Sequence, residues 1–472
     1  MTSTPALWQH DAVRLAELIR AREVSSREVV QAHLDRIAEV NPAVNAVTAV
    51  LTGLALDAAD RVDADLAAGR PTGPLAGVPF TVKDNLDIAG EATSDGTKLF
   101  RDRLAGQDAP AVANLRAAGA IPFARTNMPD FGMRWHTDNA LHGATRNPWD
   151  LTRTPYGSSG GEAVALATGA SPLGLGNDYG GSIRLPAAAA GIVGLRPTHG
   201  RIPSAGSTSP VPPSVTLQLF AVDGPMARRV ADVAAAYAVL CRQDPRDPQW
   251  VPVPAHLPLP DPITVGVVVD PGGLGVHPEI AAAVRRAADV LADAGITVVE
   301  QEPPDLMAAA ELWRTLSTAD LGGLLGLMHA HASPDAVGYL EQSIAHVPRL
   351  DLDGFLEALG RRHAIAAAWS QFTSRTHAIL GPVSTQPVPR VPFDLAGPDN
   401  ADALWRAHRL LVAVNLLGLP AVSVPAGTST DGMPQGVQII AGRYQEALCL
   451  RLAAILEGSA PAATPIDPRT GS

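Results

Sequence analysis

The 472-residue sequence is 46% hydrophobic and 18% charged, enough apolar material for a large core, and its formal charge of −11 without a basic run argues against nucleic acid or an anionic membrane as main partner. Its two cysteines, Cys241 and Cys449, stand far apart without metal-type spacing, so neither a disulfide framework nor a thiolate metal site is expected and a reducing compartment is the default. Acidic residues interrupt the opening "MTSTPALWQHDAVRLAELIR" and no run of about 18 uninterrupted apolar residues follows, which predicts a soluble, cytoplasmic chain.

In chain order, "DAVRLAELIRARE" reads as a helix, and Ser25 with Glu28 forms a capping box for a second one carrying Val30, Leu34 and Ile37 on one face. Residues 1–60 are accordingly expected to be a helical arm packed on a core domain of residues 61–472. From Gly73 the texture changes. In "GVPFTVKDN", Val78, Phe80 and Val82 alternate with Pro79, Thr81 and Lys83, so a strand there sends Lys83 to the face opposite the apolar trio and ends beside a loop. A helix in "APAVANLRAAGA" leads to the strand-like "IPFARTN", and "AVALATGA" and "LPAAAAGIVGL" are small-residue segments suited to close packing. The Pro-rich stretch 250–262 is a linker or a long surface loop. Beyond it "ITVGVVVD" reads as a strand, "HPEIAAAVRRAADVLADAGITVVE" as a helix and strand, 305–375 as mostly helical, and "LPAVSVPAGTSTDGMPQGVQIIAG" as sheet. Alternating strands and helices predict an α/β layer architecture.

The chemistry concentrates in "TPYGSSGGEAVALATGASPLGLGNDYGGSIRLP", residues 154–186. No G-x-x-x-x-G-K-[ST] occurs, and "GLGNDYGG" misses the dinucleotide pattern by one residue and has no convincing strand before it. "GSSGG" satisfies G-x-S-x-G around Ser159, but a nucleophile elbow needs a strand immediately before it, and "RNPWDLTRTPY" is a polar, proline-interrupted loop. Lysine is also scarce: of 36 basic residues only Lys83 and Lys98 are lysine, against an Ala-, Gly- and Pro-rich background typical of a high-GC bacterial genome. A lysine kept where arginine is otherwise used points to a role that requires losing the proton.

With "LAGVPFTVKDN", "YGSSGG", "DYGGSIRLP", "ARTNMPDF", "GATRNPWD", "GIVGLRPTHGRIP" and the distal "GLPAVSVPAGTSTDGMPQGVQIIAGRYQE" in this order, the chain resembles the amidase signature family of serine hydrolases. The resemblance implies an α/β fold with a large mixed central β-sheet sandwiched between helices, and hydrolysis of amide bonds without metal or organic cofactor. It implies that Ser182 is the acyl-accepting nucleophile, that Ser158 follows a cis peptide after Gly157 and relays protons, and that Lys83 is the terminal base. Neutral Lys83 requires burial, and the side-chain-free glycines of the run Tyr179, Gly180, Gly181 and Ser182 let its backbone N–H groups converge into an oxyanion hole. Ser159, Asp178 and Arg184 flank these runs as supporting residues, the last two as a brace or as an ordinary surface ion pair.

Two positions depart from the family pattern. Tyr156 stands where a second glycine is usual, and Tyr179 where smaller or aliphatic residues are frequent, so both bear on the pocket. Gly132, Met133 and Trp135 in "DFGMRW" are, with Tyr156, the candidate pocket residues, and the helical stretch 305–375 is expected to close the pocket. His136, His142 and His199 suggest a Ser-His-Asp arrangement and "MHAHASPD" a metal, but His329 and His331 are two apart and lack a third ligand. The expected partner is a small-molecule amide, ester or carbamate, with the chain a monomer or homodimer. The alternatives are the glutamine-amidase subunit of a tRNA-dependent amidotransferase, a hydrolase-like protein without catalysis, and an α/β-hydrolase-type esterase using Ser159.

Overall fold

The computed structural model describes residues 5–206, 213–254, 257–459 and 462–469. Among the described residues eleven strands form one sheet: β1 Val47–Val50, β2 Pro79–Lys83, β3 Ile121–Thr126, β4 Leu173–Asp178, β5 Val193–Arg196, β6 Val222–Ala227, β7 Thr264–Val267, β8 Thr297–Glu300, β9 Ala378–Pro382, β10 Ala421–Thr428 and β11 Pro434–Ala441. Their spatial order is β1-β3-β2-β4-β6-β5-β10-β11-β9-β7-β8. Pairing is parallel between β3 and β2, β2 and β4, β9 and β7, and β7 and β8, and antiparallel elsewhere, which makes the sheet mixed as expected.

Both faces are covered. On β2, Phe80 and Val82 enter the main core with Leu173 and Leu175 of β4. Thr81 and Lys83 point the other way, toward the helix Gly160–Ala167: Thr81 Oγ1 donates to Glu162 of that helix, and Lys83 is fully buried beside Ser158. A period-2 strand thus has two buried faces, one apolar and one carrying polar chemistry.

The first two helices, Ala12–Arg20 and Ser26–Val44, form as read, and the capping box closes with Glu28 N–H on Ser25 Oγ at 3.1 Å and Ser25 N–H on Glu28 Oε2 at 2.8 Å. The arm is not wholly helical, however. Val47–Val50 adds β1 to the sheet edge, and the helix Thr52–Ala67 runs through residue 60. The Pro-rich 250–262 stretch, of which residues 255 and 256 lie outside the described residues, leads to β7 in the same sheet. It is a connection over the surface of one continuous sheet.

Candidate active site

β2 and β4 are parallel neighbours whose C-terminal ends face the same loops. Lys83 ends β2, and its Nζ lies 2.7 Å from Ser158 Oγ and donates to Asn177 Oδ1 of β4 at 2.5 Å. Asn177 Nδ2 in turn donates to Asn85 Oδ1 at 2.9 Å, which orients its carbonyl oxygen toward the amine. Complete burial pulls the Lys83 pKa down from 10.5 to about 7, although Asp95, Asp178, Asp223 and Glu162 pull the other way. An amine so held has a lone pair available near neutral pH.

Ser158 follows the cis Gly157–Ser158 peptide and precedes the helix Gly160–Ala167. The glycines around it answer to close packing. A Cβ on Gly157 would lie 3.0 Å from the Arg134 carbonyl oxygen, one on Gly160 would lie 2.3 Å from Thr137 Oγ1, and one on Gly161 would lie 2.4 Å from the Asn127 nitrogen. Thr137 Oγ1 donates to the Tyr156 carbonyl at 2.9 Å and accepts from Gly160 N–H at 3.1 Å. The first glycine run is therefore pressed against the 127–137 segment.

The second run is braced from beneath. Asp178 is fully buried, and its carboxylate accepts from Gly181 N–H at 2.9 Å, Ile183 N–H at 3.3 Å, Arg184 Nε at 3.0 Å and Asn415 Nδ2 at 2.7 Å. Burial pushes this carboxyl up, but Arg184, Arg196 and the hydrogen bonds outweigh it and hold the group well below the usual carboxylate range. Since Arg184 is buried as well, the ordinary surface ion pair is excluded. Gly181 has φ +94° and a Cβ there would lie 2.1 Å from Leu411 Cδ2, so glycine is required on both counts.

Of the four amides expected to converge, that of Gly181 is turned into the Asp178 carboxylate, because a buried charge takes the nearest donors. Tyr179, Gly180 and Ser182 remain as candidate donors. The Ser159 N–H donates to the Ser182 carbonyl at 3.3 Å and ties the two glycine–serine runs together. Ser182 borders a cavity of about 110 Å³ whose wall includes Gly132, Met133, Trp135, Tyr179 and Gly180. Helices within 305–375 supply Trp313, Ser317, Leu321, Tyr339, Leu340 and Ile344 to the same wall. Gly132 faces both serines' surroundings: a Cβ on it would lie 3.5 Å from Ser158 Oγ.

Tyr156 is the pocket candidate that does not reach this cavity. It adopts φ +60°, a left-handed conformation that favours glycine, and its ring turns into a cluster with Leu185, Ala189, Val383 and Leu411. There it meets Phe393 and His408 and borders a separate cavity with Leu185 and His277.

Ser159 is fully buried with Oγ donating to the Asn177 carbonyl at 3.3 Å, and a loop leads into it. A nucleophile elbow is not formed. His136 Nδ1 pairs with Thr154 Oγ1 at 2.8 Å, His199 Nε2 contacts the Gln218 carbonyl at 2.6 Å, and His142 lies 3.9 Å from Asp84. His329 pairs with Glu341 at 3.1 Å on the surface, and among the described residues no group of three metal-ligating side chains converges. No helix among the described residues is long and apolar enough to cross a membrane.

Sequence reasoning missed Asn177, Arg196, Asn415 and Trp313. Asn177 carried a usable signal, a lone amide at the end of the apolar "LGLGND"; Arg196 and Trp313 lay within stretches already singled out but not as individual residues, and Asn415 carried none.

Residues 28–450 match the profile of the Amidase family. The chain is 40% identical over 457 residues, 96% of its length and 87% of the relative's, to the indoleacetamide hydrolase of Bradyrhizobium diazoefficiens. It is 36% identical over 496 residues, covering 96% of this chain and 95% of the relative, to a glutamyl-tRNA(Gln) amidotransferase subunit of Acidothermus cellulolyticus. Among solved structures, 6-aminohexanoate cyclic dimer hydrolase bound to its substrate superposes with TM-score 0.84 at 30% identity over 97% of this chain and 98% of that one. A bacterial aryl acylamidase of the amidase signature family superposes with TM-score 0.83 at 27% identity over 98% of this chain and 100% of that one.

Proposed function

Because this chain belongs to the amidase family and is a hydrolase acting on carbon–nitrogen bonds, we propose that it cleaves small-molecule carboxylic amides through an acyl-enzyme on Ser182. The observation that carries this reading is the buried Lys83 amine, 2.7 Å from Ser158 Oγ, in a run tied to Ser182 through the Ser159 N–H on the Ser182 carbonyl. Ser182 Oγ forms the bond to the amide carbon as its proton passes to Ser158 Oγ and the Ser158 proton passes to neutral Lys83 Nζ. The carbonyl oxygen gains negative charge and is met by backbone N–H groups of Tyr179, Gly180 and Ser182. As the C–N bond breaks, the relay returns the proton to the leaving nitrogen, and water then attacks the ester by the same route. Esters and carbamates present the same carbonyl and are accessible to the same site.

The wall around Ser182 favours a flat, aromatic acyl group: Trp135, Trp313, Tyr179, Tyr339 and Trp405 supply broad apolar faces, in keeping with the relative named for indoleacetamide. A second reading, glutamine hydrolysis within an amidotransferase, rests on the glutamyl-tRNA(Gln) amidotransferase relatives. The aromatic wall disfavours it, since both arginines that border the cavity are already paired, Arg134 with Asp394 and Arg314 with Asp402.

The test is kcat/KM against pH. A base that must be neutral and titrates at about 7 makes the rate rise through neutral pH to a plateau above it; a rate that falls from neutral to mildly alkaline pH in folded protein sinks the relay. Ser159→Ala is expected to keep activity within about tenfold, because Ser159 reaches no substrate-bearing surface. Loss of all activity in that variant, with Lys83→Ala active, would restore the Ser159 esterase.

A further inference from the structure

Two indoles in the wall of the Ser182 cavity also hold the loop that carries the serine. Trp135 and Trp313 stack with ring centres 6.4 Å apart and planes inclined by 12°. Trp313 Nε1 donates to the Tyr179 carbonyl at 3.3 Å, and Trp135 Nε1 donates to the Gly180 carbonyl at 3.0 Å. In a trans peptide the C=O and the following N–H point in opposite directions. A bond on the Tyr179 carbonyl therefore sets the direction of the Gly180 N–H, and a bond on the Gly180 carbonyl sets that of the Gly181 N–H. The second plane is gripped at both ends, since Gly181 N–H meets Asp178 Oδ1 at 2.9 Å.

The flanking planes are set by other groups: the Asp178 carbonyl accepts from Arg196 Nη1 at 2.6 Å, and the Gly181 carbonyl from Leu185 N–H at 2.8 Å. The central planes alone among these four depend on side chains that border the cavity. Trp313 also comes close against the loop, where a Cβ on Gly180 would sit 2.7 Å from its Cζ2. Glycine at 180 is thus what lets the indole approach closely enough to bond the carbonyl beside it.

We propose that Trp313, supported by Trp135, is a positioning residue of the oxyanion hole: its indole N–H holds the Tyr179–Gly180 peptide so that the Gly180 N–H meets the oxygen of the tetrahedral intermediate. This rests on the reading of Ser182 as nucleophile. The indole face contacts the acyl group while its edge holds a donor, so one side chain serves both binding and the chemical step.

Trp313→Phe keeps a flat ring and removes the N–H. Three quantities are compared in wild type and variant: kcat and KM on phenylacetamide, inhibition by phenylacetate as a planar ligand, and inhibition by benzylboronic acid, which adds to a serine hydroxyl as a tetrahedral anion. The expected result is a fall in kcat of about 10-fold or more, boronate affinity weakened by a similar factor, and KM and phenylacetate affinity within about threefold. Equal weakening of KM, phenylacetate and boronate, or an unchanged kcat, makes Trp313 only a wall and overturns the proposal. Trp135→Phe, at a less enclosed ring, is read by the same criterion if Trp313→Phe does not fold. Hydrolysis or boronate binding that is the same in wild type and Ser182→Ala overturns the nucleophile reading and the clamp with it; Ser182-dependent activity with uniform losses in the Trp variants overturns the clamp alone.

Discussion

Ser182→Ala is expected to lower kcat/KM on every accepted amide by at least about 10⁴-fold, because without the hydroxyl no acyl-enzyme forms and only binding and the oxyanion donors remain. The substitution removes one oxygen from a side chain that borders a cavity and is 7% exposed, so the fold and the affinity for a product acid are expected to persist. The measurement is the initial rate on aliphatic amides, arylacetamides, anilides, esters, carbamates and glutamine, for wild type and variant side by side. Loss across the panel establishes the nucleophile and ranks the leaving groups. Activity that survives at wild-type level assigns the chemistry to another residue, and a panel in which only glutamine reacts favours the amidotransferase reading.

Lys83→Arg and Lys83→Met are each expected to lower kcat by about 10³-fold, the size of a general-base contribution. Arginine keeps the charge but cannot release its proton, so raising the pH does not rescue it, whereas the wild-type rate climbs through about 7. Recovery of Lys83→Arg at alkaline pH would contradict the role of the amine as base. Stability supplies an independent check. The folded-state pKa of Lys83, about 7, lies below its ordinary 10.5, so between those values the unfolded chain binds the extra proton and folding becomes more favourable as pH rises. Below about 7 the amine is charged in both states and the burial penalty is fully present. The difference in denaturation midpoint between Lys83→Met and wild type should therefore shrink as pH rises from about 7 toward 10.5. A difference that stays constant over that range would mean the buried amine is not depressed.

Most of the candidate site residues were legible because they lie in short runs whose local pattern constrains them. The alternation of Val78, Phe80 and Val82 with Thr81 and Lys83 is enough to put the lysine on the polar face at a strand end, and β2 bears this out. The capping box of Ser25 and Glu28 is equally local and formed as read. The arm was read as helical because its helices are strongly periodic, whereas β1 is four residues whose strand character comes from pairing with β3 and not from its own pattern.

What the linear sequence by itself determined is which groups are offered for chemistry: a lysine where arginine is otherwise used, serines set among glycines, and the α/β alternation that brings strand ends to loops. What only the tertiary structure decided is which neighbours those groups meet. Asn177 aims the Lys83 amine, Asn415 and Arg196 from other segments hold Asp178, Trp313 arrives from a helix more than a hundred residues downstream, and Tyr156 turns away from the cavity through a left-handed backbone. The physical reason is range: backbone periodicity and capping act over a few residues, but burial, which lowers the Lys83 pKa and turns the Gly181 N–H into a carboxylate, is a property of everything packed around the group.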